Sequence, residues 1–189
     1  MAGEIGVLIV DDDYYMRQAL LALLWKEAGI KVVGMASCPE ELIYLVSNGD
    51  IREKADVILL DLKYIGNEMN GISAIEEIRE GVPGTKILVL SMLNQANLVL
   101  EAVRAGADGY LWKMEIVDKV AEAIQKVHQG HFVVTQSLRN LPFNKPVTVI
   151  HWDFPGEEKA GEEKEGRAKE PATERGPDFS LGRGDSIHQ

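Results

Sequence analysis

The sequence has a single cysteine, Cys38, among 189 residues, so it can form neither an internal disulfide nor a cysteine-based zinc site. Cys38 is read as a buried structural thiol. Basic residues are in deficit, 20 Lys and Arg against 30 Asp and Glu, and a formal net charge of -10 excludes a broadly basic nucleic-acid-binding surface. No apolar run approaches the roughly 18 residues of a membrane span, and the first residues carry no signal-peptide pattern. A cytoplasmic protein with no membrane partner is expected. His128, His131, His151 and His188 lack metal-ligand spacing with one another. From 155 to 178 alanine is the only apolar residue type. Such a stretch buries too little apolar surface to offset the entropy of ordering it, so 155–189 reads as a disordered charged tail.

What remains is rich in aliphatic residues, and 46% of the chain is hydrophobic, enough for one domain with appendages. Five short runs dense in Val, Ile and Leu are expected as strands at 5–10, 31–36, 57–60, 86–91 and 109–112. They show little polar alternation, as parallel strands covered on both faces do. Amphipathic stretches separate them. Met16, Leu20, Leu23 and Leu24 share one helical face, with Gly29 as the stop and Asp13 as the N-cap. Further helices are marked by Leu42, Leu45 and Val46 behind Pro39, and by Ile72, Ile75 and Ile78. A fourth spans 95–105, ending at Gly106, and a fifth spans 115–128 with Ile116, Val120, Ile124 and Val127 on one face. Strict alternation predicts an α/β fold: a doubly wound five-stranded parallel sheet with five helices, followed by the mostly disordered tail.

In such sheets the working site lies outside the carboxyl ends of the strands, where strand order reverses. Those ends carry Asp11, Asp12 and Asp13 after the first strand, Asp61 after the third, Ser91 at the end of the fourth, and Lys113 after the fifth. Clustered carboxylates repel unless a cation sits among them, and without paired His or Cys a hard, oxygen-liganded ion is indicated, best Mg²⁺. A lysine and a hydroxyl facing a metal-bound carboxylate make a cradle for a tetrahedral anion. That is the layout for phosphoryl transfer onto a carboxylate.

These segments resemble the receiver domains of bacterial two-component response regulators, the CheY-like superfamily with its flavodoxin-like fold. The likeness is carried by Val7-Leu8-Ile9-Val10-Asp11-Asp12-Asp13 with Arg17, by Val57-Ile58-Leu59-Leu60-Asp61-Leu62, by Leu88-Val89-Leu90-Ser91, and by the run from Ala102 through Ala105-Gly106-Ala107-Asp108-Gly109 to Lys113. The last run looks most like the NarL/FixJ subfamily. The resemblance implies that Asp61 is the phosphoacceptor, taking its phosphoryl group from a sensor histidine kinase. It implies that Asp12 ligates Mg²⁺ directly, that Asp11 assists through water, and that the main-chain carbonyl of Lys63 completes the protein's share. Ser91 would be the switch hydroxyl, Lys113 the partner of a phosphoryl oxygen, and Tyr110 the aromatic whose rotamer reports on Ser91. Beyond self-catalysed phosphoryl acceptance and autodephosphorylation, no enzymatic activity is implied.

Three departures stand out. The loop 63–71, Lys63-Tyr64-Ile65-Gly66-Asn67-Glu68-Met69-Asn70-Gly71, lacks the family's usual Met-Pro pair and reaches its glycine later. Met92 follows Ser91 where a small residue is common and is expected to shield the phosphoryl group from water. Met114 replaces the proline that often follows the lysine.

The receiver is assigned to 5–135, a linker to 136–154 with a short apolar β-type segment from Pro146 to Phe154, and the charged tail to 155–189. The apolar segment is expected to dock on the receiver's own surface, with pairing to another chain or use as a partner motif as alternatives. The subfamily's helix-turn-helix module is read as absent, because Pro142, Pro146, Pro155, Pro171 and Pro177 interrupt the region and 151–189 carries ten acids against six Lys or Arg. The expected output is therefore an unknown protein partner, with a phosphorylation-dependent homodimer as one route; direct DNA binding is not expected. The rival readings are an atypical NarL/FixJ-type transcriptional regulator acting on DNA directly or through a partner, a locked pseudo-receiver, and a carboxylate-phosphorylating hydrolase. The hydrolase class typically has an Asp-x-Asp pair where this chain has Asp61 and Lys63.

Overall fold

A computed structural model describes residues 3–47, 55–63, 71–115 and 118–151. Strand β1 (Ile5–Val10) leads to helix α1 (Tyr14–Leu24), β2 (Ile30–Ala36) and α2 (Pro39–Ser47). Then come β3 (Val57–Leu60), α3 (Gly71–Gly81), β4 (Lys86–Ser91), α4 (Ala96–Ala105) and β5 (Gly109–Trp112). A 3₁₀ turn at Lys113–Glu115 precedes α5 (Val120–His128), and two further strands follow, β6 (Val133–Thr135) and β7 (Thr148–Ile150). All pairings are parallel, in the order β2-β1-β3-β4-β5-β6-β7.

The core is two layers, one on each face of the sheet. On successive strand positions side chains point to opposite faces. Val7, Ile9, Val57 and Leu59 pack with Leu20 and Leu24 of α1 and with Ile124 and Val127 of α5. Leu8, Val10, Ile58 and Leu60 pack with Leu42 of α2, Ile75 of α3 and Val99 of α4. All four residues of β3 are buried, which is why that strand reads as an unbroken apolar run. The order reverses between β1 and β3, so the crevice opens where Asp11 and Asp61 leave the sheet. At the opposite edge Asp108 locks β4 to β5: its carboxylate accepts from the Ile87 N–H at 2.9 Å and pairs with Arg79 of α3 at 2.6 Å.

The five expected strands are present, and the sheet is wider than expected, with seven strands among the described residues. Strand β6 is three residues long, too short for periodicity to reveal, and exists because the edge of β5 supplies its hydrogen bonds. Gly109 lets it lie close, since a Cβ there would stand 2.9 Å from the Val133 carbonyl oxygen. Strand β7 falls inside the segment assigned to the linker and pairs with β6, so residues 148–150 do dock on the chain's own sheet. Behind these strands Phe132 is buried against Phe143 at 5.1 Å between ring centroids, with Lys145 Nζ 4.5 Å from the Phe132 ring centroid.

Other boundaries also moved. Helix α1 ends at Leu24 with Trp25 as its cap, and Gly29 lies beyond, taking a positive φ of 83° in the turn into β2. Helix α5 starts at Val120 rather than at 115, because Lys113–Glu115 form their own tight turn; Ile116 lies outside the described residues. Cys38 is half-buried, not buried. The expected disorder of the charged tail concerns residues outside the described ones.

Phe132→Ala is expected to cost about 3 kcal/mol, the usual loss for truncating a buried Phe. Urea unfolding followed by far-UV dichroism measures it, and a loss under about 1 kcal/mol would mean that the β6–β7 layer lies outside the cooperative unit.

Candidate functional site at the carboxyl ends of the strands

Backbone ladders carry the acids into place. The Asp11 N–H donates to the Ala36 carbonyl at 3.2 Å and the Asp61 N–H to the Val10 carbonyl at 2.9 Å, so both residues continue strand geometry one step past the strand ends. Asp13 does what an N-cap does, its carboxylate accepting from the N–H groups of Tyr15 and Met16. Its carboxylate takes no part in the cluster.

Asp11, Asp12 and Asp61 each offer a carboxylate oxygen within 4.8 Å of the others. Asp11 and Asp61 are buried and Asp12 is exposed, so the cluster is a pit with one open side. Lys113 enters from the turn after β5 and bonds both buried acids, Nζ lying 2.6 Å from Asp11 Oδ2 and 2.7 Å from Asp61 Oδ2. The other oxygens take backbone donors: Asp13 N–H to Asp11 Oδ1 at 2.9 Å, and Leu62 N–H to Asp61 Oδ1 at 2.7 Å. Lys63 is exposed and its N–H lies 3.3 Å from Asp61 Oδ1. Arg17 sends its guanidinium to the main-chain carbonyl of Asp11, bracing the start of α1.

The electrostatics are those of charges removed from water. An apolar recess of about 150 Å³ lies between Met16, Leu20, Leu23, Leu90 and Val120 and touches Lys113. Burial pulls the ammonium's pKa down, but the Asp61 charge and the hydrogen bonds to Asp11 and Asp61 outweigh it, leaving Lys113 above the ordinary lysine value. Burial pushes the Asp11 carboxyl up from its ordinary value, and Lys113 and the Asp13 N–H offset only part of this. Lys113 bonds two of these three clustered carboxylates. Three carboxylate oxygens within 4.8 Å of one another are a donor set for a hard divalent cation, and the all-oxygen set suits Mg²⁺.

Ser91 ends β4 fully buried, its Oγ 3.3 Å from the Leu93 N–H. Tyr110 is also fully buried, and its hydroxyl donates to the Leu93 carbonyl at 2.7 Å. The ring thus points inward, beside the hydroxyl it was expected to report on. Burial raises the Tyr110 pKa to about 12 against a lowering by the Ser91 hydroxyl, with the Asp61 charge adding to the rise. Met92 is 51% exposed, at the surface next to Ser91. Gly71 sits against the backbone after Asp61, where a Cβ would come within 2.5 Å of the Leu62 Cα. The intervening loop residues 64–70 lie outside the described residues.

A model of the response regulator receiver domain matches residues 7–125. The chain belongs to that family. The chemotaxis protein CheY of Thermotoga maritima is 38% identical to this receiver over 121 residues, 64% of the chain and 95% of CheY. The nitrate/nitrite response regulator NarL of Escherichia coli K12 is 33% identical over 132 residues, 70% of this chain but 58% of NarL, which supports a NarL/FixJ-like affiliation. Among solved structures, the isolated REC domain of RcsB from Salmonella enterica serovar Typhimurium with phosphomimetic BeF₃⁻ shares the fold. It covers 74% of this chain and 99% of its own, at TM-score 0.66 and 23% identity. The CheX–CheY–BeF₃–Mg complex from Borrelia burgdorferi aligns at TM-score 0.59 and 25% identity over 65% of this chain and 88% of that one. Among the described residues, no helix of the receiver is long and apolar enough to cross a membrane.

Two contributors were not singled out in the sequence: Trp112, whose indole N–H donates to the Met92 carbonyl at 3.2 Å, and Thr135, whose Oγ1 accepts from the Trp112 main-chain N–H at 3.3 Å. A tryptophan immediately before the lysine was the available signal.

The raised Tyr110 pKa has a consequence for stability. Its contribution is whole below the ordinary tyrosine value of 10.0 and is lost as the pH climbs toward about 12, where the folded state would have to ionise a buried phenol. An alkaline absorbance titration should contain a tyrosine component near pH 12 that Tyr110→Phe removes. A lost component that titrates near the ordinary value of 10.0 would refute the buried placement.

Proposed function

We propose that the receiver accepts a phosphoryl group on the Asp61 carboxylate from the phosphohistidine of a sensor histidine kinase. The observation that carries this reading is Asp61 itself: buried, clustered with two further acids, and bonded at 2.7 Å by a lysine that also binds Asp11. In the transfer an Asp61 oxygen attacks phosphorus, the phosphorus–nitrogen bond to the donor imidazole breaks, and the imidazole keeps that electron pair and takes up a proton. Asp12, Asp11 and Asp61, with the Lys63 carbonyl, would hold Mg²⁺, which when bound neutralises charge on the phosphoryl oxygens. Lys113 exchanges its bond to Asp61 for a phosphoryl oxygen, and Ser91 donates its hydroxyl to another. Water later cleaves the acyl phosphate to inorganic phosphate and restores the carboxylate, so the receiver acts on itself alone.

Nearly two added negative charges beside Lys113 and Ser91 alter the surface around β4 and β5, and a protein partner or a second copy of the receiver reads that change. This places the protein in the cytoplasm with its kinase. We take 5–135 as the receiver unit. The reading of 137–189 as free of a helix-turn-helix is tied to 152–189, outside the described residues; within 137–151 the chain forms a turn and β7.

Incubation with acetyl phosphate and Mg²⁺ should give acid-labile phosphate on the wild type and none on Asp61→Asn, with labelling abolished by EDTA. A wild type that takes up no phosphate sinks the proposal. Met92→Ala should lose the phosphoryl group severalfold faster than wild type, because water gains access; equal decay rates would exclude shielding by Met92.

A further inference from the structure

The backbone just after Ser91 is held at two consecutive residues by two aromatic side chains of β5. The Tyr110 hydroxyl bonds the Leu93 carbonyl at 2.7 Å, and the Trp112 indole N–H bonds the Met92 carbonyl at 3.2 Å. Trp112 is itself located from its far side. Its main-chain N–H donates to Oγ1 of Thr135, which ends β6 and is fully buried. Two residues later the Ser137 N–H donates to the Glu115 carboxylate at 3.2 Å, so the added strands are tied to the turn that begins with Lys113. The path from the extension to the switch hydroxyl is therefore short and continuous: Thr135, Trp112, Met92, Ser91.

Ser91 Oγ now accepts from the Leu93 N–H at 3.3 Å, within its own loop. The hydroxyl's own hydrogen is the donor that a phosphoryl oxygen on Asp61 needs, and moving Ser91 toward Asp61 works against the bonds that hold its loop. Every bond that holds the loop weights the equilibrium toward the resting arrangement. Tryptophan contributes a donor here, the indole N–H, that a phenylalanine ring would not.

We infer that Trp112 is a positioning residue of the switch: set in place by Thr135 of the C-terminal strands, its indole holds Met92 and keeps the Ser91 hydroxyl in the resting arrangement. This rests on the reading of Asp61 as phosphoacceptor. The extension β6–β7 thereby becomes part of the device that sets how readily the receiver switches.

The test uses the full chain as wild type, Trp112→Phe, Thr135→Val and Thr135→Ser, titrated by calorimetry with beryllofluoride in Mg²⁺ and with Mg²⁺ alone. Trp112→Phe keeps a ring at a half-buried position and deletes the N–H; Thr135→Val keeps the shape and deletes the acceptor. Both are expected to bind beryllofluoride about threefold to tenfold more tightly than wild type, the weight of one hydrogen bond. Thr135→Ser, which retains the oxygen, should match wild type, and Mg²⁺ alone should bind all four proteins equally. Unchanged or weakened beryllofluoride binding in both deletion variants overturns the inference, as does a parallel change in Mg²⁺ binding, which would mark general distortion of the site. A wild type that binds no beryllofluoride overturns the Asp61 reading, and this inference falls with it.

Discussion

The bond pattern of one ammonium organises this molecule. Lys113 reaches back from the turn after β5 and holds Asp11 and Asp61 together across the switch in strand order. Two carboxylates from neighbouring parallel strands would otherwise stand unscreened in a buried crevice, and taking an unpaired charge out of water is costly. The arrangement is weak evidence for stability, since the pair must still be desolvated. What it supplies is a cluster of three carboxylates within 4.8 Å of one another, a donor set suited to a hard cation.

Everything else in the sheet serves that placement. Fully buried β3 delivers Asp61, β1 delivers Asp11 and Asp12, β4 delivers Ser91, and β5 delivers Lys113 one residue past its end. Helices on both faces bury the central strands β1, β3, β4 and β5 almost wholly, and the site opens at their carboxyl ends. Asp108 secures the opposite edge by joining Arg79, Lys86 and the Ile87 N–H. Rigidity at one end of the sheet and exchangeable hydrogen bonds at the other are the combination that a local charge switch requires.

The receiver departs from a five-stranded plan at the β5 side. Two short parallel strands extend the sheet, and they bury Phe132, Val133, Val134 and Ile150. They also bring Thr135 against the backbone of Trp112, within one residue of Lys113. An appendage that could have been inert packing thus touches the element that carries the site. The match to NarL covers 58% of that protein, so what the relative does beyond its receiver does not transfer to this chain.

Much of this was legible in the linear sequence. Runs such as Val57-Ile58-Leu59-Leu60 read as buried parallel strands, being short, opened by β-branched residues and bounded by Asp56 and Asp61. Asp11, Asp12, Asp61, Ser91 and Lys113 follow from being placed at the ends of those runs, and the family resemblance rests on the same residues. Tertiary structure decided the rest. Strand β6 has three residues and no signature of its own; it forms because the edge of β5 offers unpaired backbone groups and Gly109 leaves room. The inward Tyr110, the shared ammonium and the Trp112 bond to Met92 depend on contacts between residues far apart in the chain or on a particular rotamer. Local pattern reports which face a residue turns to the core, and only the assembled sheet sets which groups lie within hydrogen-bonding distance.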